Sequence, residues 1–283
     1  MCKRNAIIFL YYILVLVCVF CCFTIESQPA SNMSEESIAL PIIMYHSILP
    51  AVRSVNDYTV TVAQFDADLA YLHNKGYQTI TIADLLDYMN GGSLPDKPVM
   101  ITFDDGQLNN LVYAAPILEK YGVRAVFSVV GVYVERAERE QDPNPAYAYM
   151  TWDDIHDASR SGIIEIQNHS YNLHGGSARM GFRQKSGETP AAFMDSIFSD
   201  ILKMQSLLIR NSRVTPTCFT YPYGFTFKGA RQLLKEAGFS SSMTCIERVN
   251  RITRDPECLF DLGRFNRSGR YSTERIMERM GIE

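Results

Sequence analysis

The pattern that most constrains the fold is a regular alternation of short apolar runs with longer stretches of helical periodicity. The runs are rich in Val, Ile, Phe and Thr, and they recur from Pro41 to the end of the chain. Such alternation is typical of strand–helix units repeated around a mostly parallel sheet or barrel. We therefore predict an α/β domain over residues 41–283, with strands at 41–45, 77–80, 99–103, 125–130, 163–166, 217–221, 240–244 and 260–262.

Helical periodicity between these runs predicts the intervening helices. The first carries a Thr61/Gln64 capping box at its start and Gly76 after its end. The segment 133–150, with two prolines and several charges, is predicted to be a surface insertion. The predicted helices span 61–74, 108–120, 152–160, 191–209, 228–237 and 273–280.

The N-terminal part of the chain has a different character. Lys3 and Arg4 lie in a short leading segment, 1–5, which precedes an uncharged apolar run at 6–23. This run predicts a membrane-inserting helix, either a retained single-pass anchor or a cleaved secretory signal. Positive charge before the run keeps residues 1–5 in the cytoplasm and directs the rest of the chain outward. The polar residues 24–40 are predicted to form a linker.

The charge balance argues against a nucleic-acid partner. The chain has 27 Lys and Arg against 31 Asp and Glu, a formal charge of −4. Nucleic-acid binding needs a clustered basic face, and no such cluster is visible in the sequence.

Two adjacent carboxylates, Asp104 and Asp105, follow the apolar run 99–103 and precede Gly106. In α/β sheets and barrels, catalytic groups collect at the carboxyl ends of strands. Since adjacent residues point in different directions as the chain leaves a strand, one carboxylate can bind a metal while its neighbour addresses a substrate. An ordinary Asp-Asp-Gly turn is the structural alternative.

Two of the five histidines, His169 and His174, follow the apolar run 163–166. Imidazole is the commonest metal-ligating side chain, and two imidazoles with one carboxylate leave positions open for water and substrate. We therefore predict a metal site here rather than a pair of structural histidines.

Two further strand ends carry weaker signals. The Pro-Gly turn around Tyr223 follows the run 217–221 and can present a backbone N–H to a developing oxyanion, as can many ordinary strand–helix turns. His46 ends the first run and would share a rim with the carboxylate pair if the strands form one barrel. A buried structural histidine is the alternative for His46.

Together these segments resemble the polysaccharide deacetylase family, also called the NodB-homology domain or family 4 carbohydrate esterases. Thr102–Gly106 is similar to the first motif of that family, and Gly122–Phe127 is similar to the strand that usually follows it. The resemblance runs from Pro41 to the C-terminus. It implies a distorted (β/α) barrel of about seven units, here preceded by the N-terminal membrane-inserting helix.

The resemblance also implies a role for each candidate residue. Asp104 would be the general base, and Asp105, His169 and His174 would hold a divalent metal. Tyr223 would donate its backbone N–H to the oxyanion. Zinc is favoured by the ligand types, while cobalt and nickel suit the same ligands.

The chain departs from the common family pattern in three ways. His169 and His174 lie five positions apart rather than four, as in the branch of biofilm poly-N-acetylglucosamine deacetylases. Thr220 stands where the third motif often has an arginine that orients the base, and Arg264 is the predicted substitute, with a plain surface arginine as the alternative. No histidine follows His174, so the late motif that usually supplies the catalytic acid is absent. In the biofilm branch the equivalent histidine lies on the first strand, which makes His46 the predicted acid.

These observations predict a metal-dependent hydrolase that removes acetyl groups from N-acetylglucosamine-type units of a cell-surface polysaccharide, either peptidoglycan or poly-N-acetylglucosamine. A catalytically impaired surface carbohydrate-binding protein is the alternative, because the third-motif arginine is missing. A hydrolase of non-sugar amides or esters is the third hypothesis. The predicted location is the cell membrane, with the catalytic domain outside the cell, or secretion if the segment 6–23 is cleaved.

Overall fold

The computed structural model describes residues 37–53, 56–175 and 179–282. The predicted cytoplasmic segment 1–5, the membrane-inserting segment 6–23 and most of the linker 24–40 lie outside these ranges. Within them, no helix combines the length and the apolar composition needed to cross a membrane.

Most strands are short, and several end directly before a polar candidate residue. The strands are β1 (Ile38–Leu40), β2 (Ile42–Tyr45), β3 (Ser47–Leu49), β4 (Thr59–Thr61), β5 (Gln78–Thr79), β6 (Pro98–Phe103), β7 (Ala125–Val129), β8 (Ile164–Asn168), β9 (Cys218–Thr220), β10 (Ser241–Met243), β11 (Asn250–Ile252) and β12 (Phe265–Asn266).

Helices fill most of the connections between these strands. They are α1 (Val62–Asn74), α2 (Ile82–Met89), α3 (Ala115–Tyr121, after a π-helical turn at Asn110–Ala114), α4 (Gly131–Glu140), α5 (Trp152–Arg160), α6 (Pro190–Ser212), α7 (Ala230–Glu236) and α8 (Thr273–Arg279). The predicted capping box at the start of α1 is confirmed, because Thr61 and Gln64 exchange hydrogen bonds there.

The main sheet has the order β10-β9-β8-β7-β6-β2-β12, and β5 also pairs with β6. Every pairing within it is parallel. Leu262 exchanges hydrogen bonds of 2.8 Å with Ser242 and Thr244 beside β10, while Phe265 pairs with Ile43 of β2. Residues 262–266 therefore join the two edges of the sheet. The predicted α/β class with a mostly parallel sheet is confirmed.

Three predictions about elements were wrong. The last strand lies at Phe265–Asn266 rather than 260–262, because only Leu262 of that run makes a bridge. Ile38–Leu40, assigned to the linker, forms β1 and pairs antiparallel with β11, a partner too distant in sequence to be foreseen. The segment 133–150 is not simply an insertion, since its first part belongs to α4, whose buried side is only Gly131, Val134 and Ala137.

Aromatic rings fill the space between β2, β6, β7 and the helices beside them. Phe103 lies 5.2 Å from Tyr45, 5.6 Å from Phe65 and 4.7 Å from Phe127, measured between ring centroids. All six residues of β6 are buried, as expected for a central parallel strand covered on both faces. The strand that ends in the carboxylate pair is therefore held rigidly by its packing.

A buried charge network fixes β2 to the C-terminal part of the chain. The carboxylate of Asp68 accepts hydrogen bonds from Tyr45 Oη at 2.8 Å and from Arg267 Nε at 2.6 Å. Thr273 Oγ1 at the start of α8 donates to the same carboxylate at 2.6 Å. Because Tyr45 directly precedes His46, the network also fixes the end of β2 where that candidate residue emerges.

Replacing Asp68 with Ala is expected to lower the free energy of unfolding by about 3–5 kcal/mol, because the buried Arg267 charge would lose its partner. Urea denaturation followed by circular dichroism measures this change. Asp66→Ala on the same helix is the matched control, since the one ion pair of Asp66 among the described residues is with an exposed lysine, Lys120. Equal effects of the two substitutions would contradict the proposed role of the network.

Candidate active site

The predicted site residues follow the carboxyl ends of neighbouring parallel strands. β2 leads to His46, β6 to Asp104 and Asp105, β8 to His169, and β9 to the turn that contains Tyr223. Because parallel strands end at the same edge of a sheet, these residues are brought to one rim, where the ligand sites of α/β proteins form.

Asp105, His169 and His174 form a group that has the composition of a metal site. One ligand atom from each lies within 4.8 Å of the others. His174 Nε2 is 3.2 Å from Asp105 Oδ1, and His169 Nε2 is 3.7 Å from the same oxygen. The two imidazole rings meet edge to face, with centroids 4.5 Å apart. The residues predicted from sequence as metal ligands are thus close together.

The orientation of His169 is fixed by a backbone carbonyl. Its Nδ1 lies 2.7 Å from the oxygen of Thr220, and since a carbonyl only accepts, Nδ1 must carry the proton. The lone pair of the neutral ring is then on Nε2, which faces Asp105. Burial lowers the pKa of His169 to about 4, so the ring is neutral at physiological pH.

Asp104 makes a different set of contacts from its neighbour. Arg264 Nη1 and Nη2 donate to its two oxygens at 2.7 and 2.8 Å, and Asp104 Oδ2 is 3.8 Å from His169 Nε2. Burial opposes ionisation of Asp104, but the charge and the hydrogen bonds of Arg264 outweigh burial and hold its pKa well below the usual value. Asp104 is therefore an ionised carboxylate held in a single orientation beside the ligand group.

Arg264 lies beside Asp104 rather than on the surface. Its guanidinium is fully buried, and its Nε donates to the Thr244 carbonyl at 3.0 Å. Thr220, at the position where an arginine was expected, instead forms a 2.7 Å hydrogen bond with Ser128. An arginine from a late segment of the chain thus forms a bidentate pair with the carboxylate of Asp104.

Backbone strain collects at the candidate residues. Asp105 and Tyr223 adopt φ values of 71° and 59°, and Ser170, next to His169, adopts 74°. The left-handed region is uncommon for residues other than glycine, and especially for a bulky residue such as Tyr223. Strain of this kind persists only where the surrounding structure fixes it, and it clusters at functional sites.

His46 and Tyr223 border the ligand group. The backbone N–H of Asp104 donates to the Tyr45 carbonyl at 3.0 Å, so His46 leaves β2 directly beside the carboxylate pair. Its Nδ1 is buried and has no hydrogen-bond partner among the described residues. The ring of Tyr223 lies 5.4 Å from that of His174, and this tyrosine is partly exposed.

One residue that holds the loop between His169 and His174 was not among those predicted from the sequence. Asp200 on α6 accepts hydrogen bonds of 2.8 Å from the backbone N–H groups of both Tyr171 and Asn172, which lie between His169 and His174. An aspartate on a long amphipathic helix carries no signal of this contact, because only the packing of α6 brings it there.

The family of the chain follows from comparison with known proteins. Residues 91–242 match the family model for polysaccharide deacetylase, and the chain belongs to that family. It is 27% identical over 222 residues to the poly-β-1,6-N-acetyl-D-glucosamine N-deacetylase of Escherichia coli strain K12. That match covers 71% of this chain but spans only 33% of the E. coli protein.

Two solved structures resemble the fold. IcaB from Ammonifex degensii is 27% identical, with a TM-score of 0.65 over 81% of this chain and 91% of that one. The de-N-acetylase from Aggregatibacter actinomycetemcomitans is 21% identical, with a TM-score of 0.73 over 86% of this chain and 100% of that one. The fold of the described domain is therefore that of a NodB-type α/β protein.

Replacing Arg264 with Met is expected to lower the free energy of unfolding by about 3–5 kcal/mol, because Asp104 would remain as a buried charge without a partner. Urea denaturation measures the loss. In the double variant Arg264→Met/Asp104→Asn both charges are gone, and part of the stability should return. Losses that simply add in the double variant would contradict a direct ion pair between the two residues.

Proposed function

We propose that this chain is a metal-dependent N-deacetylase that hydrolyses the N-acetyl group of N-acetylglucosamine-type units in a cell-surface polysaccharide. The observation that carries the proposal is the placement of the ionised Asp104 directly beside the Asp105, His169 and His174 group. Metal-assisted amide hydrolysis requires a general base in a fixed position and, beside it, a metal site with coordination positions open to water and substrate.

The substrate class is supported by the relatives. The E. coli relative is named for its action on poly-β-1,6-N-acetyl-D-glucosamine, and a Staphylococcus aureus relative, 24% identical over 200 residues, carries the same name. We therefore propose poly-N-acetylglucosamine as the substrate. Peptidoglycan is the second candidate, and an assay of acetate release on both polymers distinguishes them.

The residues present fit a divalent cation. His169 presents the lone pair of Nε2 because Thr220 holds the proton on Nδ1, and Asp105 contributes a carboxylate oxygen to the same space. When bound, the cation would polarise the acetamide carbonyl and lower the pKa of the attacking water. Zinc is proposed from the ligand types, and cobalt or nickel would suit the same two nitrogens and one oxygen.

Asp104 is proposed to take the proton from the attacking water. Arg264 keeps the carboxylate ionised and leaves Oδ2 directed towards the ligand group, 3.8 Å from His169. Since the guanidinium donates to both oxygens, it fixes the plane of the carboxylate and acts as the positioning residue for the base. A base that is already charged and oriented needs no rearrangement before proton transfer.

His46 and Tyr223 are proposed to act on the leaving amine and on the oxyanion, respectively. Protonated His46 would donate to the leaving amine, a step that a general acid accelerates by about 100- to 10,000-fold. The backbone N–H of Tyr223 would stabilise the tetrahedral oxyanion, and its left-handed backbone turns the peptide away from the path of β9. The products are acetate and a free glucosamine unit.

The alternative of a carbohydrate-binding protein without catalysis was motivated by the missing third-motif arginine. The hydrogen bonds of Arg264 to Asp104 weigh against that alternative, because the ion pair is present although its arginine comes from a later segment of the chain, directly before β12.

We further propose that the apolar segment 6–23 inserts into the membrane and leaves the domain on the outer face of the cell, as a retained anchor or as a cleaved signal. The domain would then meet the polysaccharide outside the cell.

Replacing Asp104 with Asn is expected to reduce acetate release by at least about 100-fold, because the base would be lost. The full chain in detergent would be assayed on β-1,6-N-acetylglucosamine oligomers and on peptidoglycan fragments, first with chelator and then with zinc or cobalt restored. Asp195→Asn, an exposed aspartate of α6, is the control.

Metal-restored acetate release that disappears in an Asp104 variant with the circular dichroism spectrum of the unaltered chain supports the deacetylase, and the preferred polymer identifies the substrate. An unchanged rate in the folded Asp104 variant would refute the assignment. Saccharide binding without acetate at any metal concentration would favour the binding protein, and turnover of small amides alone would favour a non-sugar hydrolase.

Replacing His174 with Ala is expected to weaken zinc binding by about 100-fold or more. Loss of a residue that only hydrogen-bonds to a metal ligand typically weakens binding by about 10- to 100-fold, and loss of the ligand itself should cost more. Zinc titration against a competing chelator measures this affinity. His73→Ala, an exposed histidine at the end of α1, is the matched control. Equal zinc affinity in both variants would remove His174 from the metal site.

A further inference from the structure

A row of aromatic rings extends outward from the metal-ligand group. The ring of Tyr133 meets that of His174 edge to face, with centroids 5.7 Å apart. Tyr149 stacks on Tyr133 at 4.4 Å with an angle of 25° between the planes. The ring of Tyr223 also lies beside His174, with centroids 5.4 Å apart. The proposed mechanism uses neither Tyr133 nor Tyr149.

The loops that position the candidate ligands also position this tyrosine pair. Tyr133 lies near the start of α4, where the backbone N–H groups of Gly131 and Val132 donate to the carbonyls of Ser170 and Tyr171 in the histidine loop. The pair is thus connected to the loop that leads from His169 to His174.

Tyr149 is connected to the other ligand loop. The chain beside it pairs with the turn after Asp105, through Met150 N to Gly106 O and Leu108 N to Ala148 O, both at 2.9 Å. Its backbone is therefore held at a fixed position relative to Asp105, and its ring is oriented by the stack on Tyr133, which reduces the entropy that a ligand would lose by ordering it.

Both tyrosines remain available to a ligand. Each is only partly buried, and the described residues offer no hydrogen bond to either hydroxyl. The pair combines apolar ring surface with free polar tips, a combination enriched at binding interfaces.

A pyranose ring has complementary chemistry, because its axial C–H groups form an apolar face and its hydroxyls form a polar rim. We propose that Tyr133 and Tyr149 form a subsite for a sugar unit that adjoins the unit being deacetylated, so that the protein prefers a chain to a single acetylated group. The inference rests on the proposed function and adds to it a determinant of chain recognition.

The test compares the unaltered full chain with its Tyr149→Ala variant on two substrates. One is a β-1,6-N-acetylglucosamine hexamer, and the other is 4-nitrophenyl acetate, which carries no sugar. The expected result is a loss of about tenfold in kcat/KM on the hexamer, mainly through KM, and a smaller loss on the ester. Tyr149→Leu, which keeps apolar bulk without a ring, should behave like Tyr149→Ala. Tyr149→Phe should retain most of the affinity.

Tyr147→Ala is the matched control, because Tyr147 is 60% exposed on the same segment and lies outside the aromatic row. Two results would overturn the subsite. One is a loss of kcat/KM on the hexamer that is no greater for Tyr149→Ala than for Tyr147→Ala. The other is an equal loss of kcat/KM on the hexamer and on 4-nitrophenyl acetate for Tyr149→Ala. If the unaltered chain releases no acetate from any oligomer, the proposed function fails separately. Calorimetric binding of the hexamer then decides the subsite, since equal affinities of the unaltered chain and Tyr149→Ala would overturn it.

Discussion

The buried ion pair between Arg264 and Asp104 is the contact on which the rest of the site depends. Both side chains are almost completely removed from solvent, at 0% and 2% exposure, so each charge requires the other. Burial of a single charge costs several kcal/mol, and a bidentate pair offsets that cost only with good geometry. Arg264 comes from the segment that joins the two edges of the sheet, so the same contact closes the fold and orients the proposed base.

Around this pair, short loops at the strand ends place the remaining groups. Asp105 leaves β6 in a left-handed conformation, which sends its carboxylate towards His174 while Asp104 turns towards Arg264. The Thr220 carbonyl holds His169, and Asp200 holds the loop that continues to His174. These hydrogen bonds fix the backbone and the rings of the candidate residues, and such fixed positions are a general requirement for precise catalysis.

Prediction from the sequence succeeded where a local pattern has a single interpretation. α5 was predicted with its observed bounds, since Thr151 caps it and its apolar side is clearly periodic. It failed where an element depends on distant partners. β1 has only three residues and is defined by its pairing with β11. α4 was not predicted, because the charged residues of its exposed side obscure the apolar periodicity. The tyrosine pair and Asp200 had no sequence signal, because packing alone brings them to the site.

The sequence by itself determined the α/β class, the membership of Asp104, Asp105, His169 and His174 in one candidate site, and the choice of His46 as a further candidate. These follow from strand periodicity and from residue types at strand ends, which are local properties. The choice of Arg264 came from the family resemblance, as the substitute for the arginine of the third motif. Only the tertiary structure decided that Arg264, 160 positions along the chain, contacts Asp104, and that Thr220 contributes its carbonyl to His169. Contacts between distant strands depend on how the sheet closes, and no local pattern encodes that.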